Sequence, residues 1–168
     1  KAKENNSIVY AQENTDGNID EEEVYTYTSD FQPFSWDKYV QSTLTNYALW
    51  TYNSAGLLIY YEYGSPQSNP TNPATKTYTY DANSILVSTL DTMSNGDTFE
   101  TFYDSSGNPE TLEYYSSTGT WIETTNYTYD IYGNLASREI VDSGGVVYSA
   151  SWTYDANGRL LSRYSNSY

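Results

Sequence analysis

Trp152-Thr153-Tyr154-Asp155-Ala156-Asn157-Gly158-Arg159-Leu160 reads as strand, tight turn, strand, and variants of it recur along the chain. On a strand, Trp152 and Tyr154 share one face and Thr153 takes the other. Alternating aromatic and β-branched residues suit a pleated, half-buried surface. Asp155 opens the turn, because its carboxylate accepts backbone N–H groups just ahead of it. Gly158 takes a positive φ without a Cβ clash. The phrase predicts a hairpin built on a type I turn closed by a left-handed glycine.

Copies begin at Trp50, Tyr78, Phe102 and Tyr127, with Ser84 in place of glycine and Pro109 displacing the usual leucine. Asn14 to Ile19 is a degenerate copy. The turn positions are Asn14 and Gly17, Asn53 and Gly56, Asp81, Asp104 and Gly107, Asp130 and Gly133, and Asp155 and Gly158. The second aromatics, Tyr52, Tyr80, Tyr103, Tyr129 and Tyr154, recur at intervals of about 25 residues, which is what two strands and two turns require. Tyr27 stands one further interval before Tyr52, with no recognisable turn of its own. Asn95-Gly96, Thr118-Gly119 and Gly144-Gly145 supply second turns. All ten glycines are assigned to one turn class or the other.

The fold expected is all-β: an antiparallel meander of tandem hairpins forming a twisted or spiralling sheet with an aromatic core row. Residues 1–6 form a flexible end and 7–168 a single domain, with a long loop over 65–75. Ser7 to Gln12 and Val24 to Tyr27 read as strands, Ser29 to Ser35 as a loop, and Leu57 to Tyr63 as a strand ending at Gly64. Trp36 to Val40 reads as a hairpin tip, followed by a long bulged strand from Tyr39 to Tyr52. A short helix after Ser35 is the alternative.

The pattern Tyr-x-Tyr-Asp-x-x-Gly-Asn/Arg-Leu resembles the YD repeat of the Rhs family, at Tyr127 to Leu135 and Trp152 to Leu160. The resemblance covers most of residues 7–168. It implies hairpin-repeat architecture and, more weakly, an extracellular location like that of short secreted bacterial proteins with such repeats. Longer members enclose a cargo; this chain has few repeats, no toxin domain and no self-cleaving segment, so that role is not carried over. The motif marks turn and packing positions and transfers no catalytic residue.

Composition narrows function. Twenty-two acids against seven bases give a net charge of −15, which argues against nucleic acid or an anionic membrane as partner. No apolar run is long enough for a membrane span. Histidine and cysteine are absent, removing the commonest general base and all thiol chemistry, and no enzyme is expected. The 21 tyrosines, with abundant Ser, Thr and Asn, read as a secreted or surface protein, and the start at Lys1 as a processed mature chain, with a fragment as the alternative.

Gln12 to Glu23 mimics an EF-hand loop, placing Asn14, Asp16, Asp20 and Glu23 at calcium-ligand offsets, though Gln12 stands where an aspartate is needed. A hairpin with an acidic outgoing strand explains the same residues. The row tyrosines are read as core; Tyr61, Tyr63, Tyr114 and Tyr115 lie in adjacent pairs or runs, so some must face outward and could hold a polysaccharide or other surface ligand. The first expectation for function is a structural protein polymerising with itself through its sheet edges. A glycan-binding adhesion module is the second.

Overall fold

The computed structural model describes residues 6–13, 19–66 and 72–168. Thirteen antiparallel strands form one unclosed meandering sheet in chain order, and no described residue is helical. The strands are β1 (Asn6–Glu13), β2 (Ile19–Tyr27), β3 (Pro33–Val40), β4 (Thr43–Tyr52), β5 (Leu58–Gly64), β6 (Ala74–Tyr80) and β7 (Leu86–Thr92), followed by β8 (Thr98–Tyr103), β9 (Pro109–Tyr115), β10 (Trp121–Tyr129), β11 (Leu135–Asp142), β12 (Gly145–Tyr154) and β13 (Leu160–Ser167). The chain divides into two compact units, Lys1–Thr77 with Met93–Asn95, and Tyr78–Thr92 with Gly96–Tyr168.

The repeated turn has one construction. At Asp155 the backbone N–H bonds Arg159 O at 2.9 Å, and Gly158 N–H returns to Asp155 O at 2.9 Å. Gly158 sits at φ 77°, and Tyr154 then pairs with Leu160, so the register slips after Thr153. The same slip precedes Tyr27, Tyr52, Tyr103 and Tyr129, so each outgoing strand carries one extra residue just beyond the turn's own left-handed residue. Ser84 adopts φ 65° in the glycine position of its copy.

In the first unit, residues 29–50 differ from expectation. Trp36 to Val40 is the body of β3 rather than a hairpin tip, and neither a helix nor an unbroken strand to Tyr52 forms. The chain reverses at Gln41-Ser42, both with positive φ (48° and 62°). Such two-residue turns favour Asn-Gly, so this one carried no sequence signal. The loop expected at 29–35 is a tight turn over Thr28 to Gln32, after which Pro33 starts β3 opposite Tyr27. Proline is tolerated there as a first strand residue.

Gly64 is also not a turn glycine. It ends β5 opposite Tyr47, whose ring would lie 2.7 Å from an added Cβ. Trp36, Ala48 and Tyr63 stand in register across β3, β4 and β5. The Trp36 and Tyr63 rings stack with centroids 6.4 Å apart and planes 9° apart, and Ala48 between their strands is 2% exposed. A small residue is required where two large rings meet over it. Tyr25 contacts Trp36, and Tyr10 meets Tyr25 edge-on at 5.9 Å, which continues the aromatic line to β1.

In the second unit the most buried side chains are Thr89, Thr125 and Ala150. Thr101 pairs with Thr89 and with Leu112, and Thr125 with Leu112 and Ile140. The rings of Phe99 and Tyr114, paired across β8 and β9, stack at 4.6 Å. Each strand of this unit packs against its neighbours in sequence, so packing here is cross-strand within a layer.

Candidate functional site

The repeated turns position two rows of side chains, one on each face. In each unit taken by itself the YD tyrosines mark one face (the row face): Tyr52 in the first, and Tyr80, Tyr103, Tyr129 and Tyr154 in the second, all half-buried. Tyr154 OH donates to Leu135 O at 3.0 Å, and Tyr129 OH donates to Pro109 O at 2.8 Å. Each acceptor is the first strand residue after the preceding copy's turn, so the hydroxyl couples one repeat to the next. Tyr103 OH instead meets Thr89 Oγ1 at 3.4 Å. Burial raises the pKa of Tyr52 and Tyr129.

The opposite face carries a matching rung. The threonine between the two aromatics bonds a serine on the outgoing strand: Thr128 with Ser137 (2.6 Å) and Thr153 with Ser162 (2.7 Å). Thr26 and Ser35 make the same pair at 2.7 Å. Around them, Thr28 N–H bonds Gln32 O, and Thr28 Oγ1 accepts from the N–H groups of Asp30 and Gln32. Thr28 to Gln32 is therefore a further copy, with threonine for aspartate and Phe31 at φ 59° for glycine. The signal available was the strand phrase Tyr25-Thr26-Tyr27 with Ser35 at the serine position.

The turn aspartates are committed locally. In Asp81, Asp104, Asp130 and Asp155 alike, Oδ1 accepts the backbone N–H groups two and four residues ahead, at 2.8–2.9 Å. Asn53 does the same with its amide oxygen. Oδ2 takes the amide of Asn108 in the Asp104 turn, that of Asn134 in the Asp130 turn, and Arg159 in the Asp155 turn. These bonds hold all four carboxyls below their ordinary pKa. The largest cause is the Asn side-chain bond for Asp104 and Asp130, and the backbone N–H bond for Asp81 and Asp155. A groove of about 730 Å³ separates the Asp104 and Asp130 turns, lined also by Glu110, Tyr127 and Tyr132.

The candidate ligand tyrosines divide between faces. Tyr61 pairs with Trp50 and Tyr63 with Ala48, so both lie on the row face, and Tyr63 is 40% exposed. Tyr114 lies with Phe99 on that face and donates to Asp97 Oδ2 at 3.0 Å. Tyr115 points to the other face and donates to Glu113 at 2.6 Å. Tyr60 and Tyr47 donate to the two oxygens of Glu62 on that opposite face in the first unit. Burial and the Glu62 carboxylate push Tyr60 up to about 12.

Of the calcium candidates, Asn14 and Asp16 (with Gly17) lie outside the described residues. Positions 20 and 23 both fall in β2. The Glu23 carboxylate accepts from Tyr25 OH at 2.8 Å and Trp36 Nε1 at 3.3 Å, with Lys38 Nζ 3.9 Å away. No group of three or more metal-ligating residues converges among the described residues. No described helix is long and apolar enough to cross a membrane.

No family model and no curated protein matches the chain. Solved structures similar to it include the crystal structure of TcdB2-TccC3-Cdc42, at 11% identity and TM-score 0.26, over 95% of this chain and 11% of that one. A mutant Tc holotoxin pore from Photorhabdus luminescens matches at 11% identity and TM-score 0.27, again over 95% of this chain and 11% of that one. A protein of unknown function from Bacteroides fragilis matches at 7% identity and TM-score 0.17, over 98% and 94% of the two chains. The chain thus spans about a tenth of the length of the first two, and TM-scores this low carry no argument about function.

Proposed function

We propose that this chain is a non-enzymatic structural module of YD-repeat type, working outside the cell, whose open sheet grows by strand addition, β1 of one copy docking on β13 of another. The observation that carries this reading is the unclosed sheet, in which β1 and β13 each have one neighbour. Both strands expose large apolar side chains: Ile8, Val9 and Tyr10 on β1, and Leu160, Leu161 and Tyr164 on β13. Tyr168 N–H bonds Val147 O, so by antiparallel alternation Arg163, Ser165 and Ser167 present their backbone groups to the open side.

Charge supports a head-to-tail arrangement. Residues 1–40 carry nine acids and three lysines, whereas residues 135–168 carry three acids and three arginines. An acidic edge meeting an arginine-bearing one is complementary, and like edges are not. Contact between unlike edges does not close on itself, so it propagates as a filament.

Sedimentation velocity and electron microscopy of the purified protein test the reading. Mass rising with concentration and unbranched filaments are expected. Ser165→Pro removes an outward N–H without touching the β12 ladder, and should keep the strand circular dichroism while leaving monomers. Wild-type protein that stays monomeric up to its solubility limit overturns the proposal.

A further inference from the structure

Two arginines stand together on the row face of the second unit without acidic partners. Arg138 on β11 is in register with Tyr127 and Ala150, and Arg163 on β13 with Trp152. The Arg138 guanidinium lies 5.7 Å from the Tyr148 ring centroid, and that of Arg163 lies 5.9 Å from the Trp152 ring. Arg163 Nη2 donates to Tyr148 OH at 3.4 Å. A single tyrosine thus holds both cations, its ring beneath Arg138 and its hydroxyl against Arg163.

The absence of a carboxylate here runs against composition, since acids outnumber bases 22 to 7. Among the described residues, Lys38 pairs with Glu21 and Glu23, and Arg159 pairs with Asp155, but neither Arg138 nor Arg163 has an acidic partner. The nearest acids along β11 are turned elsewhere. Glu139 is on the opposite face, and Asp142 accepts the Gly144 N–H at 2.7 Å. Arg138 Nε is shut off from solvent and has no acceptor. A guanidinium N–H removed from water without an acceptor is costly, and a negative charge held on the Nη groups of the same cation offsets that cost.

The geometry points to an oxyanion-binding site formed by Arg138, Tyr148, Trp152 and Arg163, taking the carboxylate, phosphate or sulfate group of a ligand. The two Nη groups of a guanidinium donate two parallel bonds to such a group, which an ammonium cannot offer. The Tyr148 and Trp152 rings keep the arginines from swinging toward distant acids and lower the local dielectric. Because the protein carries −15 overall, its long-range field repels anions, so retention at this place depends on the short-range fork. Arg163 also belongs to the β13 edge used in the assembly reading, but the site needs only groups of one chain and so does not rest on assembly.

The chain has three arginines, Arg138, Arg159 and Arg163, so its Nε–H resonances report on every one of them. Inorganic phosphate and, separately, citrate are titrated into labelled protein at physiological ionic strength. Saturable, matching shifts of the Arg138 and Arg163 signals are expected with one anion or both, while the Asp155-paired Arg159 stays still. The better-held anion assigns the group as tetrahedral or planar. Arg138→Lys, which keeps the charge and discards the fork, should weaken binding about tenfold or more. Arg163→Gln, at the exposed edge, should do likewise and leave the fold unchanged. Linear drift of all three signals, no shift with either anion, or undiminished binding in Arg138→Lys and Arg163→Gln overturns the assignment.

Discussion

At the scale of single residues, the turn is a local machine and its exceptions are informative. Gly133 at φ 83° sits where an L side chain is strained, and Ser84 occupies the equivalent position at φ 65°. Ser84→Gly should therefore stabilise the protein by about 0.5–1 kcal/mol, strain relief outweighing the added chain entropy, and Gly133→Ala should cost about 1 kcal/mol. Urea unfolding midpoints at constant slope check both, and opposite signs at the two sites are the required result. The turn copies at Asn53, Asp81, Asp104, Asp130 and Asp155 were readable in the sequence because an Asx side chain, its own backbone and a glycine are local partners. The Thr28 turn lacks those local marks, since threonine and Phe31 fill the roles, and only the flanking strand phrase with Ser35 nine residues after Thr26 betrays it.

At the scale of strands, repeats are tied together through the tyrosine hydroxyls. Tyr154→Phe leaves the ring and removes the bond to Leu135 O, and Tyr129→Phe removes the bond to Pro109 O. Each should cost about 1 kcal/mol, the usual net value of such a bond, with the freed carbonyl regaining water in part. Hydrogen exchange of β10 to β13 in Tyr154→Phe should rise before that of β8, because repeat sheets transmit stability between neighbours. Uniform loss of protection across β8 to β13 would refute this local coupling. Intervals of about 25 residues mark Tyr52, Tyr80, Tyr103, Tyr129 and Tyr154 as one series in the sequence. Which face Tyr61, Tyr114 and Tyr115 would take was not legible there, since it depends on where each strand's register slips.

At the scale of the whole molecule, acidity and tyrosine content set a window of stability. The four turn aspartates have folded pKa values below their unfolded value of about 3.9, so their contribution is full above that pH and is lost as pH falls through the folded values. Tyr25, Tyr47, Tyr52, Tyr60, Tyr61, Tyr114, Tyr115 and Tyr129 are raised, Tyr60 to about 12. Their contribution is full below about pH 10, the unfolded value, and is lost as pH rises through the folded values. Thermal melts across pH should show a plateau between these limits. Tyrosinate absorbance should rise together with loss of strand signal on the alkaline side. A melting temperature still climbing at pH 11 would contradict the tyrosine assignment.

The chain by itself determined the hairpin unit, its period and most of its turns, because alternation, Asx bonding and left-handed glycine act within a few residues. The tertiary structure decided the rest. Gln41-Ser42 turns without Asn, Asp or Gly because β3 and β4 pair on either side of it. Gly64 is small because the Tyr47 ring fills the space opposite, and Ala48 because Trp36 and Tyr63 stack across its strand. Arg138 and Arg163 lie a full repeat apart in sequence and meet only on Tyr148, a product of registers set across three strands. Local chemistry fixes what a turn can be, and cross-strand register fixes what each side chain touches.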